Sequence, residues 1–350
     1  MLSFVTTSVL LSLKRVSFSV SVFFPKGQSR IEELDRKTRL RLASSLEHIF
    51  AQTGQMLGSG PDETARLFAD VRDHRVQPCV FGCYFELVFA LKAGRPEEAA
   101  RLWRRIITLA AQDARHELVP LNEEKLGEDA ARICRLLNAG EARPVIGPLD
   151  AGRLAAQWQT FVSDVEEALA LIDHVDSDLG REVRALVVQI IGAAPFSPDA
   201  TFGSDSSLML WGAATLNVDI HRSSLQIAES LVHEAAHLLL FGLSNEEPLV
   251  RNPDSQRFSS PLRSDPRPMD GVFHATFVCS RLHLFYGRLL ARGAPGGSAL
   301  DRRQIEQTLA HLASRFDDGA GVVFGAADLT PLGDEVMRAA ADYMSHAAAA

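Results

Sequence analysis

The 350-residue chain is long enough to bury a substantial core, as one large domain or two ordinary ones. With 46% hydrophobic and 23% charged residues it has a globular rather than a disordered balance, and a net charge of -8 with no Lys/Arg cluster argues against nucleic-acid binding. Four cysteines (Cys79, Cys83, Cys134, Cys279) are too few and too scattered for a disulfide framework. Cys79 and Cys83 lack C-x-x-C spacing, so core packing in a reducing, cytoplasmic setting is expected.

Residues 1–29 read as an N-terminal extension. Met1 to Leu13 is apolar, but Lys14-Arg15 follow the run instead of preceding it, the reverse of a signal peptide, and the run is too short to span a bilayer. Val16 to Val22 alternates with period two, as a strand does. From Arg30 to Ala139 the pattern is helical throughout, defining a helical region over 30–140. Ile31 to Phe50 is periodic, Pro61 opens a second helix, Phe81 to Ala93 is strongly apolar, and Glu97 to Ala111 resumes after an Arg95-Pro96 break.

Glu141 to Asp150, with two prolines and a glycine, is the expected boundary before a catalytic region over 141–350. Ala151 to Asp173 reads as a long amphipathic helix, and Arg184 to Ile191 as a buried strand or a helix end. Leu208 to Trp211 and Ala214 to Ile220 read as strands joined by a turn at Gly212. Ser223 and Gln226 form an S-x-x-Q capping box, and a helix is expected from there to Phe241 with Gly242 as its C-cap. Leu225, Ile227, Leu231, Val232 and Leu238 to Leu240 surround that helix, the profile of a buried element. After a proline-marked loop from Ser244 to Pro268, further helices are expected from Asp270 to Leu290, Arg302 to Phe316 and Pro331 to Ala341, with a turn over Gly293 to Gly297. The fold class is therefore α+β and predominantly helical, with a small sheet packed against the buried motif helix and a helical N-terminal half.

The chemistry concentrates in His233-Glu234-Ala235-Ala236-His237. Histidines four apart project from one helix face one turn apart and can hold one divalent metal, while Glu234 stands near enough to act on a metal-bound water or to support a ligand. Two helix histidines that merely cap or pack are the plainer reading. The capped, apolar helix favours metal. A metzincin extension needs Gly at 240 and His at 243, and this chain has Leu240 and Leu243, which excludes that subclass. Glu246 and Glu247 lie too close in the exit loop to be good third ligands. His274, at the start of the next helix, is the better candidate and His283 the weaker one.

Before His274 runs Ser260-Pro261-Leu262-Arg263-Ser264-Asp265-Pro266-Arg267-Pro268-Met269-Asp270-Gly271-Val272-Phe273. Its prolines forbid helix and present Arg263 and Arg267 from an extended segment. Such guanidinium groups suit a bidentate carboxylate, and ordinary surface arginines account for the same residues equally well.

Over about Leu225 to Phe285 the chain resembles the HExxH-motif peptide-modification family found beside ribosomally made peptide natural products. The family's related segment has the form W-R-x-D-P-R-P followed by G-hydrophobic-hydrophobic-H. Here Leu262 stands where the family has Trp. The resemblance implies an Fe(II), 2-oxoglutarate-dependent dioxygenase that hydroxylates a β-carbon in a precursor peptide. It further implies His233, His237 and His274 as iron ligands, Arg263 or Arg267 on the 2-oxoglutarate carboxylate, and a radical-SAM maturase as a partner enzyme. Glu234 would orient a ligand or touch the cosubstrate. The alternatives are a zinc metallopeptidase with Glu234 as general base and a non-catalytic member that binds a leader peptide. No nucleic-acid or membrane partner is expected.

Overall fold

The computed structural model describes residues 22–25, 28–221, 223–263, 265–293 and 302–349. The apolar run Met1 to Leu13, the alternation from Val16 up to Ser21, and the turn after Gly293 lie outside the described residues. Contacts along the chain divide it into two units. The larger comprises Lys26–Asn245 with Arg288–Leu300, the smaller Met1–Pro25, Glu246–Gly287 and Asp301–Ala350.

The larger unit begins with α1 (Gln28–Leu57), α2 (Pro61–Asp73), α3 (Pro78–Lys92) and α4 (Pro96–Ala110). Proline opens the last three, where its fixed φ suits a helix and its missing N–H removes a donor that would have no helical partner. Gly94, at φ +66°, reverses the chain between α3 and α4 while Arg95 N donates back to the Ala90 carbonyl at 2.9 Å. Next come β1 (Glu117–Pro120), α5 (Glu123–Leu126), α6 (Asp129–Leu137), β2 (Ile146–Gly147), α7 (Ala151–Val175) and α8 (Ser177–Leu186). They are followed by β3 (Gln189–Pro195), β4 (Ser204–Asp205), a 3-10 turn over Leu208–Leu210, β5 (Ala213–Asn217) and α9 (Ser224–Leu243).

The sheet runs in the order β1-β3-β5-β4. The first three strands are parallel, β4 pairs antiparallel to β5, and β2 pairs antiparallel with the end of β3. All five residues of β5 and six of the seven in β3 are buried, as parallel strands covered on both faces should be. The chain is thus α+β and predominantly helical, and the motif helix α9 packs against α1, α7 and α8 and against β4 and β5.

Several local expectations change. The segment 30–140 is not helical throughout, because Glu117–Pro120 forms β1, an edge strand four residues long and too short to show a period. Arg184 to Ile191 is both a helix end and a strand start, divided between α8 and β3. Leu208–Leu210 is not a strand. The Ser207 hydroxyl accepts from Met209 N at 3.2 Å and sets a tight turn, and Gly212 at φ +93° then feeds β5. Gly242 is not the C-cap, which is Ser244, but a buried residue in the last turn of α9. A Cβ at Gly242 would lie 2.9 Å from the Trp211 ring, so the position is small for packing.

Gly192, in the middle of β3, is small for the same reason. A Cβ there would stand 2.5 Å from Trp158 Cζ3, 3.1 Å from Val218 Cγ2 and 3.2 Å from Phe161 Cε1. Gly192→Ala is expected to destabilise the unit by about 1–3 kcal/mol through overpacking, measured as a lower urea midpoint at unchanged slope. A midpoint equal to that of the wild type would show that these rings move aside freely.

In the smaller unit, α10 (Met269–Arg292, of which residues up to Gly287 belong here), α11 (Arg302–Ala326) and α12 (Pro331–Ala349) carry the core. The last two helices run further than their periodic cores suggested. Phe23 stacks on Tyr343 at 4.9 Å between centroids, and its carbonyl accepts from the buried Arg281 Nη1 at 2.5 Å. Gly319 is pressed so close to Thr276 that a Cβ would meet its hydroxyl at 2.1 Å. Among the described residues, no helix is long and apolar enough to cross a membrane.

Candidate metal centre

The N-terminus of α9 is fixed by the Ser223 hydroxyl, which accepts from Gln226 N at 3.3 Å, so the capping residue is the expected one. Apolar side chains then bury the helix on nearly every side: Ile227, Leu231, Val232, Leu238, Leu239 and Leu240 are all essentially inaccessible. His233 and His237 are among the residues of α9 that stay partly accessible. Both are half-buried, and their rings stand together, with Nε2 to Nε2 3.2 Å and centroids 4.9 Å apart.

That separation fits a shared ion. Two nitrogens each about 2.1 Å from one metal, at an angle of roughly 100°, lie about 3.2 Å apart. An N–H···N hydrogen bond between a donor ring and an acceptor ring fits the same distance. Either way, the helix brings two imidazole nitrogens to one point beside partly open space. His237 is further braced by Phe241, whose ring is stacked one turn on at 6.4 Å.

Glu234, beside them, is 1% exposed. Its Oε1 accepts from the Ser204 hydroxyl at 2.5 Å and its Oε2 from the Ser206 hydroxyl at 2.6 Å. Both oxygens are therefore engaged once each, from β4 and the segment after it, and His233 Nε2 lies 3.9 Å from Oε1. Sequence reasoning missed these two serines. The available signal was indirect: a glutamate on an otherwise apolar helix must find donors, and Ser204-Asp205-Ser206-Ser207 is one of the polar runs upstream that could supply them.

The other histidines divide clearly. His221 is excluded as a ligand because both ring nitrogens are engaged, Nδ1 with the Asn217 carbonyl at 2.7 Å and Nε2 with the Ser230 hydroxyl at 2.8 Å. His283 Nδ1 meets the Tyr343 hydroxyl at 2.9 Å. His274 lies in α10 of the smaller unit, buried, with Asp270 Oδ1 4.0 Å from its Nε2. Burial pushes its pKa down against the opposing pull of Asp270, which keeps the imidazole neutral with a lone pair to donate. Within each unit, and among the described residues, no three His, Cys, Asp or Glu side chains gather as a metal-binding group. The structure thus joins His233 to His237 and leaves His274 in the other unit.

Arg263 and Arg267 also belong to the smaller unit. The extended reading of their loop holds at Arg267, which exchanges both backbone hydrogen bonds with Phe258 (2.8 and 2.9 Å). Its guanidinium pairs with Asp265, Nε to Oδ2 3.1 Å, whereas Arg263 is exposed. All four cysteines are free. Burial pushes Cys79 up to about 12 and Cys83 up to about 11, so both are packed, unreactive thiols. Compared with protein-family models and with curated protein sequences, the chain matches none.

Proposed function

We propose that this chain is a metal-dependent peptide-modifying enzyme, an Fe(II)/2-oxoglutarate-dependent dioxygenase that hydroxylates a β-carbon in a ribosomally made precursor peptide. His233 and His237 supply two ligands. The third, His274, is assigned from the sequence and the family resemblance. Neutral imidazoles suit Fe(II), and three protein ligands leave room for a chelating 2-oxo acid. Iron would activate dioxygen, the oxidant, with 2-oxoglutarate giving up two electrons as it becomes succinate and CO2 and the C–H bond giving up the other two. Of the two loop arginines, Arg263 is the better holder of the cosubstrate carboxylate, since Asp265 already engages Arg267.

The observation that carries the choice of reaction is Glu234. A hydrolytic base must bring a carboxylate oxygen to the attacking water, and here each oxygen is held by one serine hydroxyl, Ser204 on Oε1 and Ser206 on Oε2, which favours a holding role over a basic one. Glu234 therefore acts as a positioning residue, tying the histidine-bearing turn of α9 to β4. A zinc metallopeptidase remains the second reading, because the 3.2 Å histidine pair suits zinc equally well. The free cysteines agree with a cytoplasmic setting, where a radical-SAM maturase would be the partner enzyme.

The test is turnover of 2-oxoglutarate to succinate by protein reconstituted anaerobically with Fe(II) and then exposed to oxygen. Slow succinate formation without any peptide is the expected result. No succinate, together with zinc-dependent cleavage of a fluorogenic peptide, would overturn the proposal in favour of the peptidase.

A further inference from the structure

A cavity of about 450 Å³ opens in the larger unit, and neither His233 nor His237 lines it. Four guanidinium groups stand around it: Arg39 of α1, Arg75 from the link between α2 and α3, and Arg181 and Arg184 of α8. Only two carboxylates, Glu32 and Asp35, oppose them there. Arg181 is spent on Asp178 at 2.5 Å, so the positive character of the wall rests on Arg75 and Arg184.

Local pairing leaves part of that charge without a partner. Asp35 is fully engaged: Oδ2 accepts from Arg39 Nε at 2.9 Å, while Oδ1 accepts from Trp211 Nε1 at 3.0 Å and lies 3.4 Å from Arg75 Nε. Arg75 Nη2 is buried without a hydrogen-bond partner. On α8, Arg184 Nη2 reaches Asp173 and the Leu169 carbonyl, while its Nη1 is also buried without a partner. Burial pulls the Arg75 pKa below the usual arginine range against the opposing effect of Asp35, so its charge is under-compensated. Buried donors of this kind are rarely left unpaired. The two belong to elements far apart in sequence that line one cavity. The backbone behind Arg75 is held as well, its carbonyl accepting from Ala114 N at 2.9 Å.

We infer that this cavity binds a small molecule bearing an oxyanion, a phosphate or a carboxylate, through Arg75 and Arg184. Two guanidinium groups on different elements can each give such a group the N–H donors of its unpartnered nitrogen, Nη2 of Arg75 and Nη1 of Arg184. The space exceeds one oxyanion and lies within the usual range for a small-molecule pocket, so the anion is carried on a larger body. His116, at the lead-in to β1, adds a third polar contact on that wall.

Inorganic phosphate and succinate are the probes, titrated separately into the full chain by calorimetry at constant chloride-balanced ionic strength. At least one should bind, and Arg75→Met and Arg184→Met should each weaken it at least about tenfold. His237→Ala should leave it unchanged, which separates this site from the metal centre. Arg184 is partly exposed on α8, so its variant remains informative if Arg75→Met fails to fold. Phosphate binding alone assigns a phosphorylated ligand, and succinate binding alone a carboxylate. Failure of both to bind below about 20 mM, or equal binding by the wild type and the arginine variants, would overturn the inference.

Discussion

Replacing His237 by alanine is expected to reduce affinity for a divalent metal by more than about 10²-fold. Losing a residue that only hydrogen-bonds to a ligand already costs roughly 10–100-fold, and losing a ligand should cost more. The ring stands 3.2 Å from its partner nitrogen and is half-buried, so little of the hydrophobic core goes with it. Alanine also favours helix over histidine by a few tenths of a kcal/mol, which offsets the lost contact with Phe241. The unfolding midpoint should therefore stay close to that of the wild type while competition against a chelator shows the metal released. Unchanged affinity in this variant and in His233→Ala would mean that the pair only packs.

Glu234 should behave in the opposite way, with stability as the first casualty. Glu234→Ala removes the acceptor of the half-buried Ser204 and Ser206 hydroxyls and opens a void where the buried carboxylate stood, a loss of about 2–4 kcal/mol. Glu234→Gln preserves the shape but turns one acceptor into a donor facing a hydroxyl that can itself rotate to accept, so it should cost less, about 1–2 kcal/mol. Coupling is the decisive readout. In a double-mutant cycle with Ser204→Ala and Ser206→Ala, the effects should be strongly non-additive, because all three groups share one network. Glu234→Gln should also weaken metal binding about 10–100-fold by loosening the turn that carries His233. A hydrolytic base would give the reverse pattern: stability within about 0.5 kcal/mol of wild type and peptide cleavage abolished.

The legible parts of this chain were those written in local, repeated chemistry. Ser223 announced the start of α9, prolines 61 and 96 marked the starts of two helices, and the apolar residues on either side of the motif, Leu231, Val232 and Leu238 to Leu240, announced burial. Features set by a distant neighbour were not legible. Gly242 has the identity of a helix cap, yet it is small because the Trp211 ring lies against it. β1 is four residues whose pairing depends on β3, about seventy positions later. Ser204 and Ser206 carry no mark of their own, and only the burial of Glu234 gives them a role. The arginines of the charged cavity are likewise scattered over more than a hundred positions, and folding alone brings them together. The histidine pair, set by a four-residue spacing on one helix, needed nothing beyond the helix itself.

The central claim is that α9 holds a metal ion between His233 and His237 and that this ion is iron. Elemental analysis of protein purified without oxygen or chelator tests it most directly. About one equivalent of iron per chain, lost in His237→Ala, is the predicted result. A chain that purifies free of any divalent metal and takes none up would contradict the metal centre itself, and full occupancy by zinc that iron cannot replace would contradict the oxygenase.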